Sequence, residues 1–217
     1  MKGGLRSRDS IAPVPTVVAE RIRTLILAGE LAAGERVNQD RVAAEHGVSH
    51  IPVREALCRL EAEGLVTFHP RRGFFVAKLS VEDALELGEM RSALESLAAR
   101  LAMPRISAST LDAAEKNLDA ADRTKSLLAW SETNWRFHRL LYAPCRRPRL
   151  LETLEGLWRA ADRYLRVVWQ EAGWQARSQK EHREILAAFR ANDAARAATL
   201  IAEHVEAATT ALVKVME

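Results

Sequence analysis

The 217-residue sequence predicts a mainly α-helical protein of two domains, with one short β-hairpin at the end of the first domain. Apolar residues recur at helical spacing along most of the chain. Seven of the ten glycines fall before residue 74, so the two ends of the chain differ in composition. A short alternating segment turns back on itself through Pro70 and Gly73, which is typical of a hairpin. Together these features predict domains over 1–79 and 80–217.

Charge and composition narrow the classes of function. Residues 1–79 hold twelve Lys and Arg against nine Asp and Glu, so this region carries the whole net charge of +3. A basic excess confined to one domain favours a polyanionic partner. The two cysteines lie far apart and suggest no disulfide framework, and no run of about 18 apolar residues could span a membrane. We therefore expect a cytoplasmic protein with no membrane partner.

Three helices are predicted in the first domain. The first covers 16–28 and ends at Gly29, because glycine readily adopts the left-handed conformation that closes a helix. The second covers 38–46, with Asn38 as its N-cap. The third begins at the N-cap Ser49, after only two intervening residues. Such tight spacing is typical of a helix-turn-helix.

The third helix and the hairpin after it carry the candidate DNA-binding residues. The inward face of this helix is apolar at helical spacing: Val53, Ala56, Leu57 and Leu60. His50, Ile51 and Arg54 then lie outside near its N-terminus, where a recognition helix touches base edges. The strands L-V-T-F and F-F-V flank a tip with Arg71 and Arg72, which suits contact with phosphates or a minor groove.

This order of elements predicts a winged helix-turn-helix that binds double-stranded DNA. The alternative is a helix-turn-helix used only for packing, with solvated arginines at the hairpin tip.

The first domain resembles the GntR family of bacterial transcription regulators. The resemblance covers nearly all of residues 16–77, in L-A-A-G-E-R-V, in H-G-V-S-x-x-P-V-R-E-A-L-x-R-L-E-x-E-G-L-V from His46 to Val66, and in P-R-R-G-F-F-V. It implies that Ser49, His50, Arg54 and Gly73 lie at operator-contacting positions. The family usually has Arg at the position of His50 and Thr at that of Ile51. We interpret both departures as a changed base preference.

Six helices are predicted in the second domain, because proline and N-capping residues interrupt its helical periodicity. They cover 81–102, 108–122, 126–142, 148–171, 175–190 and 194–215. The simplest arrangement is an antiparallel all-α helical bundle.

Three histidines of this domain are predicted to converge. Asn134 and His138 lie four residues apart on one helical face. His182 precedes the predicted turn residue Asp193 by eleven residues and His204 follows it by eleven, so an antiparallel hairpin sets the two side by side. Converging neutral imidazoles bind divalent transition metals, zinc first, with nickel and manganese as alternatives. Each histidine taken alone is more often an ordinary hydrogen-bonded residue.

The second domain looks like the FCD ligand-binding domain of the FadR-type branch of the GntR family. Its metal-binding members pair Asp-x-x-x-His with two later histidines, which implies Asn134, His138, His182 and His204 as the metal site here, with a neutral amide in place of the acid. Arg91 corresponds to an arginine that faces the effector, and Trp135 lies beside the ligand helix. The alternative for Arg91 is an i, i+4 pair with Glu95 on a solvated face.

These features predict a homodimeric transcriptional repressor whose binding to operator DNA responds to a small organic acid. Two other classes remain open. One is a metal-dependent hydrolase, since three histidines can hold a metal that activates water. The other is an architectural DNA binder without sequence preference or ligand response.

Overall fold

The computed structural model describes residues 13–78, 80–124, 126–169 and 173–216, which divide into two compact units with the boundary after Lys78. The mainly helical class with one two-stranded hairpin is confirmed. The domain limits 1, 79 and 217 and the last two residues of the helix predicted over 148–171 lie outside the described residues. No helix in the described ranges is long and apolar enough to cross a membrane.

Within residues 13–78, the first unit contains three helices and one hairpin. They are α1 (Val14–Leu27), α2 (Gln39–His46), α3 (His50–Ala62), β1 (Val66–His69) and β2 (Gly73–Val76). The strands are antiparallel, with Val66 opposite Val76 and His69 opposite Gly73. Apolar side chains from all three helices and from the hairpin form one core beneath them.

Local sequence accounts for the turn between α2 and α3. The Asn38 side chain accepts a hydrogen bond from the Arg41 amide and so caps α2, as predicted. Gly47 ends α2 in the left-handed conformation (φ 61°), which a side chain would disfavour. Ser49 occupies the N-cap position of α3, but its side chain makes no capping hydrogen bond. The serine hydroxyl is exposed there.

A third extended segment, which the sequence did not predict, supports the hairpin. Arg36 forms an isolated bridge with Phe75, and the Val37 amide donates to the Phe74 carbonyl at 2.9 Å. Residues 34–37 therefore pair with the strand that leads away from the hairpin tip.

The second unit is an all-helical bundle. Its helices are α4 (Val81–Ala102), α5 (Ala108–Arg123), α6 (Leu127–Tyr142), α7 (Pro148–Trp169), α8 (Trp174–Arg190) and α9 (Ala194–Met216), with 3₁₀ turns at Met103–Arg105 and Ala143–Cys145. Asp193 caps α9 by accepting from the Arg196 amide. The predicted helix boundaries are reproduced within one or two residues.

Helices α4 and α9 approach each other closely along the bundle. A Cβ at Gly88 would lie 2.8 Å from Cγ2 of Thr209, closer than packed carbon atoms come. The buried Ser96 hydroxyl donates to the Ala198 carbonyl at 2.9 Å. This contact fixes α4 against the helix that carries His204.

Candidate functional site

The N-terminal part of α3 presents the predicted DNA-binding residues to solvent. Its apolar positions Val53, Ala56, Leu57 and Leu60 are fully buried. Ser49, His50, Ile51 and Arg54 are all exposed. Nε2 of His50 lies 3.2 Å from Oδ1 of Asp40 on α2. The surface at this helix end therefore offers an imidazole, an aliphatic side chain and a guanidinium.

The hairpin adds the second part of this surface. Arg71 and Arg72 are exposed at its tip, and the Arg72 guanidinium lies 5.1 Å from the centre of the Phe75 ring. Arg71 has a φ of 64°, which is uncommon for a residue with a side chain. The Arg54 guanidinium lies 5.8 Å from the centre of the Phe68 ring, so a contact joins α3 to the hairpin.

The three histidines of the bundle converge, as the spacing predicts for His182 and His204 and as the resemblance to the FCD domain implies for His138. His138 on α6, His182 on α8 and His204 on α9 offer ligand nitrogens that all lie within 4.8 Å of one another. All three residues are buried. Nε2 of His182 and Nε2 of His204 are 3.3 Å apart. Asn134 is also buried, one turn before His138 on the same helix.

Partners at the opposite ring nitrogens fix the tautomers. Nδ1 of His204 lies 2.7 Å from the Glu181 carboxylate, which can only accept, so His204 carries its proton on Nδ1. Nδ1 of His182 lies 3.2 Å from Oε1 of Gln179. That amide directs its nitrogen to two other acceptors, so its oxygen accepts from His182.

His138 has the same tautomer for a related reason. The Tyr142 hydroxyl donates to Oε2 of Glu95 at 3.0 Å and therefore accepts from Nδ1 of His138 at 3.2 Å. Each Nε2 atom is thus left with a lone pair, and those of His182 and His204 face each other. This arrangement is typical of metal-ligating histidines, whose other nitrogen is held by a second partner.

These residues fit a divalent metal ion. Two imidazole lone pairs 3.3 Å apart repel each other unless a cation lies between them. Two nitrogens bound to one tetrahedral zinc ion are separated by roughly 3.3 Å, given Zn–N bonds of about 2.0–2.1 Å. Among buried side-chain nitrogen and oxygen atoms in the described ranges, Nε2 of His138 alone has no hydrogen-bond partner. A bound cation would satisfy this atom.

Burial keeps the imidazoles of His138 and His182 in the neutral form that binds metals. It lowers the pKa of His138 to about 3, although the nearby Glu95 carboxylate acts in the opposite direction. Burial, with smaller effects from the other two histidines, lowers the pKa of His182 well below its ordinary value. No proton has to be removed from these two rings before a metal can bind.

A buried carboxylate lies behind His138. Glu95 on α4 accepts from Nε of Arg91, from the Trp158 indole at 2.9 Å and from Tyr142. Burial alone would raise the pKa of Glu95, but Arg91, His138 and these hydrogen bonds lower it below its usual value. Glu95 is therefore ionised, with its charge compensated inside the bundle.

Arg91 forms the i, i+4 pair with Glu95 that the sequence offered as the alternative, but the pair is buried and not solvated. Nε of Arg91 lies 2.9 Å from Oε1 of Glu95, and the side chains are 4% and 0% exposed. The Arg91 guanidinium also lies over the Trp135 ring, 5.3 Å from its centre. Trp135 stacks on Trp158 and donates to Asp162. Arg91 and Trp135 thus adjoin the carboxylate behind His138.

A cavity of about 750 Å³ lies beside α6, lined by Trp135, Arg136, Arg139 and Leu140 among others. None of the three histidines lines it. Trp135 thus contributes both to this cavity and to the buried network around Glu95.

The sequence interpretation did not identify the groups that hold the histidines in place: Glu95, Tyr142, Gln179 and Glu181. Helical spacing carried part of the signal, since Tyr142 lies four residues after His138 and Gln179 lies three before His182. No local spacing connects Glu181 to His204 or Glu95 to Tyr142. The pairing of His50 with Asp40 was missed for the same reason.

Comparisons with known proteins agree with these observations. The family model described as "Bacterial regulatory proteins, gntR family" matches residues 16–76, and the FCD domain model matches residues 86–207. The first match covers the helix-turn-helix and hairpin. The second covers all three clustered histidines.

Relatives and a solved structure extend the likeness. An uncharacterized HTH-type transcriptional regulator of Mycobacterium tuberculosis is 32% identical over 77% of this chain, which spans 65% of that relative's length. The HTH-type transcriptional repressor GlaR of Escherichia coli is 29% identical over 82% of this chain and 86% of the GlaR sequence. The structure of Escherichia coli McbR/YncC matches with a TM-score of 0.79 and 22% identity, over 95% of this chain and 100% of that one, which shows a shared fold.

Proposed function

Because the chain belongs to the GntR family of transcription regulators and carries an FCD domain, we propose that it is a ligand-responsive repressor. It binds a pseudo-palindromic operator as a homodimer through α3 and the hairpin, and a small organic acid in the FCD domain weakens this binding. The name of the similar repressor GlaR supports the sign of regulation. The observation that carries the proposal is the convergence of three buried histidines in the matched FCD domain.

The DNA-binding surface is assigned to exposed residues at the N-terminal end of α3 and at the hairpin tip, together with the half-buried Gly73. Ser49, His50, Ile51 and Arg54 approach base edges and phosphates in the major groove. Arg71, Arg72 and Gly73 follow the adjacent backbone or minor groove. A homodimer presents two such surfaces, which accounts for a two-fold related operator.

The metal is assigned to His138, His182 and His204, with Asn134 as the fourth ligand. Zinc suits this nitrogen-rich set, and nickel or manganese are the other candidates. When bound, the metal would supply positive charge to an effector carboxylate, which could enter as a fifth ligand or in place of the Asn134 amide. With Asn134 in place of an acid, one negative charge fewer opposes that attraction.

Arg91 and Trp135 are assigned to the effector-binding site, where they contact the organic acid itself. A guanidinium has five N–H donors, so Arg91 can serve Glu95 through Nε and still bind an effector carboxylate. Effector binding changes DNA affinity only if the effector prefers one conformation of the protein over another.

One experiment tests both halves of the proposal. The purified full chain is loaded with zinc, and its affinity for a duplex selected from a random pool is measured with and without a panel of small carboxylates. We expect sequence-selective binding that at least one carboxylate weakens at least fivefold, the lower end of typical allosteric coupling. Metal content is measured on the same samples.

Matched variants separate the two sites. We expect His138→Ala to lose both zinc and the carboxylate response while retaining DNA binding. His46→Ala, a histidine outside the cluster, should keep all three properties. Arg54→Ala should lose operator affinity and retain zinc. Zinc retained in His138→Ala would refute the metal site. Turnover of an ester or amide by the zinc-loaded chain would instead favour the metal-dependent hydrolase.

A further inference from the structure

Ile51 is an aliphatic side chain on a surface otherwise suited to polar contacts. It is the second residue of α3 and is 70% exposed, the highest value among large hydrophobic residues in the described ranges. The apolar residues on the inward face of α3 pack into the core, but Ile51 lies outside it. Single exposed apolar residues are common in proteins, so exposure alone does not indicate a binding role for Ile51. Its position on α3 is the more informative property.

The neighbours of Ile51 define what it can approach. His50 precedes it and faces the Asp40 carboxylate, while Arg54 lies one turn later and contacts Phe68 of the hairpin. Ile51 therefore lies between two polar residues at the end of the helix that enters the major groove. A ligand that meets His50 and Arg54 there also covers Ile51.

Base chemistry leaves one favourable partner for this side chain. Most groups along the major-groove edge are hydrogen-bond donors or acceptors, and an isoleucine would remove their water without replacing the hydrogen bond. Thymine instead presents its C5-methyl group. We propose that Ile51 determines base specificity by packing against the methyl group of a thymine in each operator half-site, an inference that rests on the proposed DNA-binding function.

Deoxyuridine provides the test, because it differs from thymidine only by this methyl group. A duplex is first selected from a random pool with the full chain. Each thymine position is then replaced in both half-sites, and affinity is measured by fluorescence anisotropy. We expect replacement at one position to weaken binding about fourfold per methyl group, the value for one buried methyl.

Variants assign that effect to Ile51. Ile51→Ser should bind the thymine and deoxyuridine duplexes equally at the sensitive position. Cys58→Ser, at an exposed site two turns later on α3, should keep the difference. Melting of each variant checks that it is folded, which is expected because both side chains are exposed.

The outcomes distinguish this inference from the proposed function. A chain that selects no preferred sequence overturns both. A chain that selects a sequence but tolerates deoxyuridine everywhere overturns the thymine contact alone, as does an unchanged deoxyuridine penalty in Ile51→Ser. Loss of the penalty in Ile51→Ser, with its retention in Cys58→Ser, supports the contact.

Discussion

The two units hold their candidate functional residues in opposite environments. In the first, His50, Ile51 and Arg54 lie at the surface and make few contacts within the unit. In the second, the three histidines are buried, and each has a partner at Nδ1. Exposed side chains can be exchanged at little cost to folding, whereas buried charged and polar groups cannot. The proposed DNA specificity can therefore change independently of stability, but the proposed metal site cannot.

The contrast between buried and exposed side chains predicts the largest loss of stability at Glu95. Glu95→Ala leaves the buried Arg91 without its counter-charge, and we expect the free energy of unfolding to fall by about 3–5 kcal/mol. Urea unfolding followed by circular dichroism measures the loss. Glu89→Ala, an exposed glutamate on the same helix, should change stability by no more than about 0.5 kcal/mol. Equal effects of the two substitutions would contradict the distinction between buried and exposed groups.

A smaller effect is expected at Tyr142, whose hydroxyl joins Glu95 to His138. Tyr142→Phe keeps the ring but removes the acceptor that holds the Nδ1 proton of His138. We expect zinc affinity to fall about 10- to 100-fold, as for other groups that support metal ligands. Competition with a chromophoric zinc chelator measures this change.

The other tyrosine of the chain is a matched control. The Tyr164 hydroxyl donates to Asp83 and accepts from the Ser80 amide, so these bonds connect α7 to the start of α4. Tyr164→Phe should therefore leave zinc affinity unchanged even where it lowers stability. A similar loss of affinity in both variants would show that general loosening of the bundle, and not the hydroxyl of Tyr142, is responsible.

The same contrast explains what the sequence could predict. Helix boundaries followed from periodicity and capping residues such as Asn38 and Asp193, because these signals are local. The meeting of His182 and His204 also followed from local information, since equal distances from one turn place residues side by side in a helical hairpin. The exposure of the candidate DNA-binding residues on α3 was predictable, because they lie opposite its buried apolar face.

The contacts that join Glu95 to Tyr142 and Trp158 were not predictable in this way. Glu95 lies on α4, Tyr142 on α6 and Trp158 on α7, so their meeting depends on how the helices pack. The Arg91–Glu95 spacing is equally typical of a solvated helix surface, and only tertiary packing buries it. The segment that pairs with β2 through Arg36 was missed because a single bridge leaves no periodic pattern.

The hairpin tip gives the smallest predicted effect and separates stability from binding most directly. Arg71 has a positive φ, and a side chain in this conformation costs about 1 kcal/mol, which glycine avoids. Arg71→Gly should therefore leave stability unchanged or raise it by up to about 1 kcal/mol, while DNA affinity falls through the loss of one phosphate contact. Arg72→Gly lacks this gain, because Arg72 is outside the set of positive-φ residues and loses its contact with Phe75.

Salt titration of DNA binding should show each variant with a slope reduced by about one. If Arg71→Gly bound DNA as tightly as the parent, with the same salt slope, the Arg71 side chain would have no part in the DNA-binding surface, and its strained backbone would be a feature of the turn alone.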